Sequence, residues 1–248
     1  MIRVVDLHKT FGRQHVLRGV NLELEAGKIT TIIGGSGSGK TVLLKHLNAL
    51  LLPDCGSVFV GDRDITQLSQ TALNEVRRKF GVLFQGAALL DSMTIHDNVA
   101  FPLRETTKLK ETEIEKKVDE SLAQVGLAGA GYKFPAEVSG GMKKRAGLAR
   151  ALVVKPEIML FDEPTTGLDP LLGKSIHQLI RKMHATHKFT GVVVSHDIPE
   201  VFQISDRIAM LAEGVITEVG TTEDFLVSEN PAVKQFIHGE TEGPLAVL

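Results

Sequence analysis

The chain has 248 residues, of which 43% are hydrophobic and 5% aromatic, so we expect one large domain, or a domain with a subdomain, around a sizeable core. With 28 Lys plus Arg against 30 Asp plus Glu, and with no Trp, neither electrostatic attraction nor base stacking favours a nucleic-acid partner. The single cysteine, Cys55, excludes an internal disulfide and a zinc site built from several cysteines of one chain.

The first predicted elements are strands that lead into a glycine-rich loop. Residues 20–25 alternate apolar and polar side chains, which is typical of a half-buried strand. The β-branched run Ile29–Ile33 predicts a buried parallel strand. After the loop we expect a helix that ends at Pro53, with four leucines along it: Leu43, Leu44, Leu47 and Leu51.

The segment between this strand and this helix matches a phosphate-binding loop. Its residues are Gly34, Gly35, Ser36, Gly37, Ser38, Gly39, Lys40 and Thr41. The glycines let successive backbone N–H groups point at phosphate oxygens, and the helix N-terminus adds a positive end. Lys40 supplies a charge to the terminal phosphates, and the Thr41 hydroxyl is a candidate Mg²⁺ ligand. The alternative, a flexible Gly/Ser linker, does not explain why the loop lies between a strand and a helix.

The middle of the chain, about residues 87–150, is predicted to be mostly helical. One amphipathic helix covers residues 112–125, where Ile114, Val118 and Leu122 share a face and Gly126 is a C-terminal cap. A second helix is predicted to start at Ser139 and to run to about residue 154.

Beyond residue 157 the predicted strands return. Ile158–Phe161 and Val192–Val194 are short apolar runs, and residues 171–187 between them have apolar side chains at helical spacing. Strand, helix and strand in this order predict a parallel sheet with helices on both faces. The C-terminal tail, residues 231–248, is predicted to be helical near Pro231–His238 and irregular beyond Gly239.

Two carboxylates, Asp162 and Glu163, end the first of these strands. Asp162 is placed to hold Mg²⁺, as the acidic residue after this strand does in phosphate-loop enzymes. Glu163 is then the candidate that orients and deprotonates the attacking water. A turn or a helix N-cap is the alternative for an isolated Asp, and the phosphate loop upstream favours the catalytic interpretation.

Residues Val138–Arg145, which read Val-Ser-Gly-Gly-Met-Lys-Lys-Arg, resemble the signature of ABC ATPases. The resemblance implies the α/β fold of an ABC-type P-loop NTPase. That fold has a parallel RecA-like sheet core, an N-terminal antiparallel β-subdomain and an inserted α-helical signature subdomain, at about residues 87–150 here. It also implies that residues 1–230 form one nucleotide-binding domain for ATP and Mg²⁺.

The same resemblance assigns further roles. Phe11 stands where an aromatic ring stacks on adenine, Gln85 is similar to the Q-loop glutamine, Asp169 lies in the D-loop and His196 is similar to the switch histidine. The implied catalytic residues are Lys40, Gln85, Glu163 and His196. The implied Mg²⁺ ligands are Thr41, Gln85 and Asp162. The implied ATP contacts beyond Phe11 and the phosphate loop are Ser139, Gly140, Gly141 and Asp169.

Ser139 and the two glycines after it have residue types that suit an anion site, apart from the family resemblance. Serine is a good helix N-cap, and the glycines leave backbone N–H groups open at a helix N-terminus, which is an anion site. In the resembling family two subunits pair head to tail, and this segment contacts the γ-phosphate of the ATP held by the other subunit. A simple helix cap is the alternative for Ser139 alone.

Four positions or runs differ from the usual family pattern or allow a second interpretation. Met142 stands where most family members have Gln, and Phe11 replaces the commoner Tyr. Neither is a catalytic group, so we expect activity to survive. A lone histidine is more often structural, but His196 ends an apolar strand beside Asp197. The cationic run Lys143–Arg145 is interpreted as a solvated helix face.

A narrower resemblance lies in residues 84–105. This segment, the Ser-Gly-Gly-Met form of the signature and the tail around residues 236–244 are similar to the ATPases of Mce-type lipid transporters, such as the maintenance-of-lipid-asymmetry and toluene-tolerance systems. The resemblance implies phospholipid transport at the inner membrane through an integral membrane permease. An MCE-domain lipid-binding protein and a STAS-domain subunit are further implied partners. Leu89, Leu90 and Met93 are candidates for the groove that receives the permease, with core packing as the alternative for each.

Two other functions stay open at this point: a non-transport single-cassette ATPase, such as an iron–sulfur assembly factor, and a transporter ATPase for a different cargo. The N-terminus does not read as a signal peptide, and no apolar run approaches the roughly 18 residues of a spanning helix. We therefore expect a soluble chain whose membrane role comes through a partner. The resemblance implies a homodimer at the cytoplasmic face of the inner membrane.

Overall fold

A computed structural model describes residues 1–245 of the chain. The strands are β1 Ile2–Phe11, β2 Gln14–Leu24, β3 Ile29–Ile33, β4 Cys55–Val60, β5 Arg63–Asp64, β6 Phe80–Leu83, β7 Ile158–Asp162, β8 Thr190–Val194, β9 Arg207–Ala212 and β10 Val215–Gly220. The helices are α1 Lys40–Leu47, α2 Gln70–Arg77, α3 Ile95–Thr106, α4 Glu111–Gln124, α5 Gly140–Leu152, α6 Pro170–His187, α7 Thr222–Leu226 and α8 Pro231–His238. Short 3₁₀ turns cover Pro135–Glu137 and Glu200–Gln203.

The described chain divides into two compact units. The first contains Met1–Phe80 and the chain from Phe189 onward, and the second contains Gly81–Lys188. The predicted domain at residues 1–230, its helical subdomain at about 87–150 and the tail at 231–248 remain predictions. The last three residues of that tail lie outside the described residues.

The first unit begins with an antiparallel sheet in the order β2-β1-β4-β5. Ile2 of β1 pairs with Leu24 on one side and with Val60 on the other. Alternate side chains of β1 and β2 are buried, as expected where one face of a sheet covers a core. The predicted N-terminal antiparallel sheet is confirmed, and its second strand starts six residues earlier than the polar–apolar alternation indicated.

A second sheet of the first unit has the order β10-β9-β3-β8. β3 runs parallel to both β8 and β9, whereas β10 pairs antiparallel with β9. Every residue of β3 and β8 is buried, which explains their continuous apolar and β-branched composition. The predicted parallel sheet and α/β class are confirmed.

The helix after the phosphate loop is shorter than the sequence predicted. It ends at Leu47, so Leu51 and Pro53 lie beyond it. Asn48 accepts a bond from the Leu50 N–H through its side chain, and Ala49 takes a left-handed φ of 51°. This local turn chemistry competes with helix continuation, because Asn offers the backbone a hydrogen bond that a helix does not use.

The second unit contains α3, α4, α5 and α6, together with β7, which lies beside β6. α4 buries Ile114, Val118 and Leu122 as predicted, and α5 packs against α3, α4 and α6. No helix within residues 1–245 is both long enough and apolar enough to cross a bilayer.

Candidate functional site

The phosphate loop of the first unit lies between β3 and α1. Lys40 is buried, and its Nζ donates to the carbonyl oxygens of Gly34 at 2.8 Å and Gly35 at 2.9 Å. A Cβ on Gly34 would lie 2.2 Å from the Leu211 carbonyl oxygen, and one on Gly39 would lie 2.9 Å from a methyl of Val16. Both glycines also have a positive φ. The loop therefore requires glycine at these positions to curl around its own lysine.

The loop offers the groups that a polyphosphate needs. The ammonium of Lys40 and the N-terminus of α1 are positive, and open space surrounds the Cβ positions of Gly35 and Gly37. Within residues 1–245, the hydroxyl of Ser38 is a buried polar atom that makes no hydrogen bond. Such an atom costs free energy unless a ligand or water pairs with it. The residues present thus fit a bound phosphate chain.

His196 belongs to the same unit and the same sheet edge. β8 runs parallel to β3, with Val194 opposite Ile32, and the Ser195 N–H donates to the Ile32 carbonyl at 3.3 Å. The carboxyl ends of parallel strands meet at one edge. The structure therefore brings His196 and the phosphate loop to neighbouring positions. The His196 side chain is 54% exposed, and its Nε2 lies 3.8 Å from Asp197 Oδ1.

Phe11 ends β1 at the hairpin to β2, and 47% of its surface is exposed. It pairs with Gln14, two residues before Val16, and a Cβ on Gly39 of the phosphate loop would lie 2.9 Å from a Val16 methyl. The ammonium of Lys9 lies 5.6 Å from the Phe11 ring centroid. The exposed ring is therefore carried on a ribbon that packs against the loop, as stacking on a nucleotide base requires.

The second unit holds the paired carboxylates. Asp162 is the last residue of β7, Glu163 follows it, and both are buried. Glu163 takes a left-handed φ of 48°, which is uncommon for a residue with a side chain. Thr166 donates to the Glu163 carboxylate at 3.2 Å through Oγ1 and to the Glu163 carbonyl at 3.3 Å through its N–H. An unfavourable backbone conformation held in place at a strand end is a common feature of functional sites.

Gln85 lies near Glu163 in the second unit because Lys144 bonds to both. The Lys144 ammonium donates to the backbone carbonyl of Gln85, in a very short contact, and to that of Glu163 at 3.3 Å. The interpretation of the cationic run as a solvated face is wrong here: Lys144 is buried, and Arg145 donates to the Val125 carbonyl at 2.9 Å. Burial lowers the pKa of Lys144, and the carboxylates of Glu163 and Asp162 oppose that shift.

The burial of Lys144 was not predicted, because charged side chains on a helix are usually solvated. One signal was available in the sequence. Gly147 and Ala151 lie three and seven residues after Lys144, on the same face of α5, and both are buried. A helix face of small residues indicates close packing, so a lysine on that face must point its ammonium at buried polar groups.

The signature segment caps α5 as predicted. The Ser139 hydroxyl accepts a bond from the Met142 N–H at 3.3 Å. A Cβ on Gly140 would lie 3.4 Å from a methyl of Leu168, and Asp169 caps α6 by accepting from the N–H groups of Leu171 and Leu172. The structure therefore brings the signature and the Asp169 segment together on the second unit.

Oxygen ligands for a metal are present in both units. Thr41 lies in the first turn of α1, and Asp162 ends β7. Within residues 1–245, no three His, Cys, Asp or Glu side chains form a cluster that could hold a metal by themselves. Each unit thus offers an oxygen donor of the kind that Mg²⁺ prefers, and Mg²⁺ in nucleotide sites takes only one or two protein ligands beside waters and phosphate oxygens.

The chain is similar to known proteins over nearly its whole length. The model of the ABC transporter family matches residues 17–166. The probable ribonucleotide transport ATP-binding protein mkl of Mycobacterium tuberculosis is 46% identical over 99% of this chain and 68% of its own length. The intermembrane phospholipid transport system ATP-binding protein MlaF of Haemophilus influenzae is 42% identical over 99% of this chain and 93% of its own.

Solved structures of ABC transporter cassettes are also similar to this chain. The dimeric bacterial ABC transporter cassette MJ0796 is 32% identical, with a TM-score of 0.82 over 89% of this chain and 98% of its own. The same cassette in a post-hydrolysis state, bound to ADP and phosphate, is 31% identical with a TM-score of 0.82 over the same shares of both chains. The chain therefore belongs to the ABC transporter family, as an ATP-binding subunit whose activity is ATP hydrolysis coupled to transport.

Proposed function

We propose that this chain hydrolyses ATP to drive phospholipid transport at the inner membrane, through a partner permease. The observation that carries the proposal is the 42% identity to MlaF of Haemophilus influenzae over 93% of that protein. MlaF of Escherichia coli is 38% identical over 91% of its length. The Ser-Gly-Gly-Met signature and residues 84–105 support the same assignment. These relatives have transport names, and none of these observations favours the iron–sulfur assembly alternative.

The roles of the site residues are part of this proposal. Lys40, the backbone N–H groups of the loop and the start of α1 bind the phosphates of ATP, while Phe11 stacks on the adenine. Glu163 accepts the proton of the attacking water. Gln85 and His196 orient the water and the γ-phosphate. Thr41, Asp162 and Gln85 are the residues that would hold Mg²⁺, and the ion would supply positive charge to neutralise the phosphates.

We also propose that each ATP lies between two copies of the chain. Ser139 and Gly140 are exposed at the start of α5, and beside them Leu171 is 82% exposed and Leu172 is 40% exposed. An open helix N-terminus next to exposed leucines suits contact with an anion and with a second protein surface. The dimeric form of the similar cassette supports this arrangement.

The permease surface is assigned to the segment after Gln85. Leu90 is 41% exposed, and Leu89 and Met93 are half-buried. The buried side chain of Asn98 fixes this segment, because it accepts from the Leu90 N–H at 2.7 Å and donates to three carbonyls. A rigid loop with an exposed leucine suits a docking surface. An MCE-domain protein and a STAS-domain subunit complete the proposed assembly at the cytoplasmic face of the membrane.

Isolation of the chain from native membranes tests the proposal. We expect an integral membrane permease and an MCE-domain protein to accompany the tagged wild-type chain in mild detergent. Leu90→Glu is expected to lower permease recovery about tenfold or more, because it buries a charge in the contact, and to leave ATP affinity unchanged. Leu226→Glu, at an exposed leucine of the first unit, is the matched control and is expected to retain the permease.

Recovery of the chain without any permease would count against the proposal. The 46% identity to mkl supports a second candidate cargo, a ribonucleotide. The purified complex in vesicles separates the two: ATP-dependent transfer of labelled phospholipid is expected, and ATP-dependent movement of a labelled ribonucleotide without lipid transfer would favour the second candidate.

A further inference from the structure

One face of the signature helix α5 binds the backbone of the segment that follows Gln85. Lys144 donates to the Gln85 carbonyl, and six residues later Arg150 donates to the carbonyls of Ala87 at 2.7 Å and Ala88 at 2.6 Å. Gly147 lies between them on the helix, where a Cβ would come within 2.9 Å of a Leu83 methyl. The backbone of this segment therefore lies close to α5 at Gly147. Lys144 on one side of that glycine and Arg150 on the other donate hydrogen bonds to it.

The held segment has an unusual backbone. Ala87 and Ala88 both take a left-handed φ, of 60° and 48°. Such a conformation persists in residues with side chains only when neighbouring groups fix it. The two guanidinium bonds from Arg150 supply this restraint for the alanine carbonyls, while Lys144 acts on the residue with the proposed role in the site.

Lys144 reaches one more group, and it is the backbone of the proposed catalytic base. Its ammonium donates to the Glu163 carbonyl, and Glu163 also has a left-handed φ. A lysine ammonium has three N–H donors, so one side chain can restrain both carbonyls at once. Charge-assisted bonds of this kind are stronger than neutral ones.

The charge of Lys144 indicates that this side chain fixes the position of the carbonyls that it binds and does not merely fill space. A buried ammonium is costly, and an apolar side chain of similar length would fill the same space without that cost. The carboxylates of Asp162 and Glu163 are close enough to act on the ammonium by Coulomb attraction. The charge therefore lies where backbone carbonyls and carboxylates of the site converge.

We infer that Lys144 is a positioning residue for ATP hydrolysis, which holds the backbones of Gln85 and Glu163 in one fixed arrangement. Lys144 acts through the two residues that it binds. The inference rests on the proposed roles of Gln85 and Glu163. It adds that α5, which presents Ser139 at its N-terminus, also fixes the groups that orient and deprotonate water.

The test is a series of substitutions in the full-length chain, with steady-state ATP hydrolysis as the readout. Lys144→Met keeps the length of the side chain and removes its donors. It is expected to lower kcat about 10- to 100-fold, because small displacements of catalytic groups have effects of this size, and to change KM for ATP by less than about threefold. Lys144→Arg keeps charge and donors and is expected to restore most of kcat. Lys144→Gln, with an amide donor at shorter reach, is expected to be intermediate.

Matched controls separate positioning from stability. Lys116→Met removes an exposed lysine of α4 in the same unit and is expected to leave kcat and Tm unchanged. If Lys144→Met lowers Tm strongly, the Gln and Arg variants carry the test, since both keep donors for the carbonyls. A kcat that does not follow the order Met, Gln, Arg, or a rise in KM at constant kcat, overturns the inference.

Failure of the inference and failure of the proposed function give different results. Glu163→Gln is measured in parallel. If it abolishes hydrolysis while Lys144→Met retains the wild-type kcat, only the positioning role is wrong. If Glu163→Gln hydrolyses ATP at the wild-type rate, the proposed base is wrong, and Lys144 has no positioning role through it.

Discussion

Replacement of Glu163 by glutamine is expected to lower kcat for ATP hydrolysis by about 10²- to 10⁴-fold, the usual contribution of a general base. Glutamine has the same shape and still accepts the bond that Thr166 Oγ1 donates to the Glu163 side chain at 3.2 Å. It cannot accept a proton from water. We therefore expect hydrolysis to be lost while the left-handed turn after β7 and the affinity for ATP are retained.

The Glu163→Gln measurement needs two readouts. Phosphate release gives kcat, and light scattering with and without ATP gives the oligomeric state. We expect ATP to accumulate in a stable dimer, because bound nucleotide is no longer consumed. Glu120→Gln, at an exposed position of α4, is the control and is expected to have wild-type activity. Native rates in Glu163→Gln would show that another group takes the proton.

Replacement of Lys40 by methionine is the second large effect that we expect. A hydrogen bond to a charged group contributes roughly 1.5–3 kcal/mol, so ATP affinity is expected to fall about 10- to 100-fold. Loss of a positive charge beside the transferred phosphate is expected to lower kcat by roughly a further 10²-fold. Methionine keeps the buried aliphatic part of the Lys40 side chain. It removes the Nζ that donates to the Gly34 and Gly35 carbonyls.

The Lys40→Met result is read from ATP titration, kcat and Tm together. Lys45→Met, on the same helix α1 but exposed, is the matched control, and we expect it to bind ATP as the wild type does. A Lys40→Met chain with wild-type ATP affinity would contradict the placement of the phosphates in this loop.

Much of the fold and of the candidate site could be predicted because local chemistry determines it. The phosphate loop needs glycine where a Cβ would collide with backbone, as at Gly34. The spacing of the glycines in the sequence therefore identifies the loop. Ser139 was recognisable as a helix cap, and the fully buried strand β3 was recognisable from its β-branched run. In each case the residue type and its close neighbours in sequence contain the information.

Other features depend partly or wholly on distant parts of the chain and were not predicted. The end of α1 at Leu47 follows from the turn at Asn48 and Ala49, which Arg77 also stabilises through the Ala49 carbonyl at 2.6 Å. The burial of Lys144 depends on Gln85 and Glu163, 59 and 19 residues away. The left-handed φ of Glu163 could not be predicted from residue type, because glycine is the residue that usually indicates this conformation. Tertiary contacts decide the burial of Lys144, and in the other two features they add to local bonds from Leu50 to Asn48 and from Thr166 to Glu163.

The most direct test of the account is complementation between two inactive variants. In the proposed dimer each site combines Lys40 and Glu163 of one copy with Ser139 of the other. Ser139→Arg and Glu163→Gln chains are each expected to be inactive, and they are mixed before ATP is added. Random pairing makes about half of the dimers mixed, each with one complete site of two, so we expect about a quarter of the wild-type rate. A mixture no faster than the separate variants, or an active Ser139→Arg monomer, would contradict the shared site.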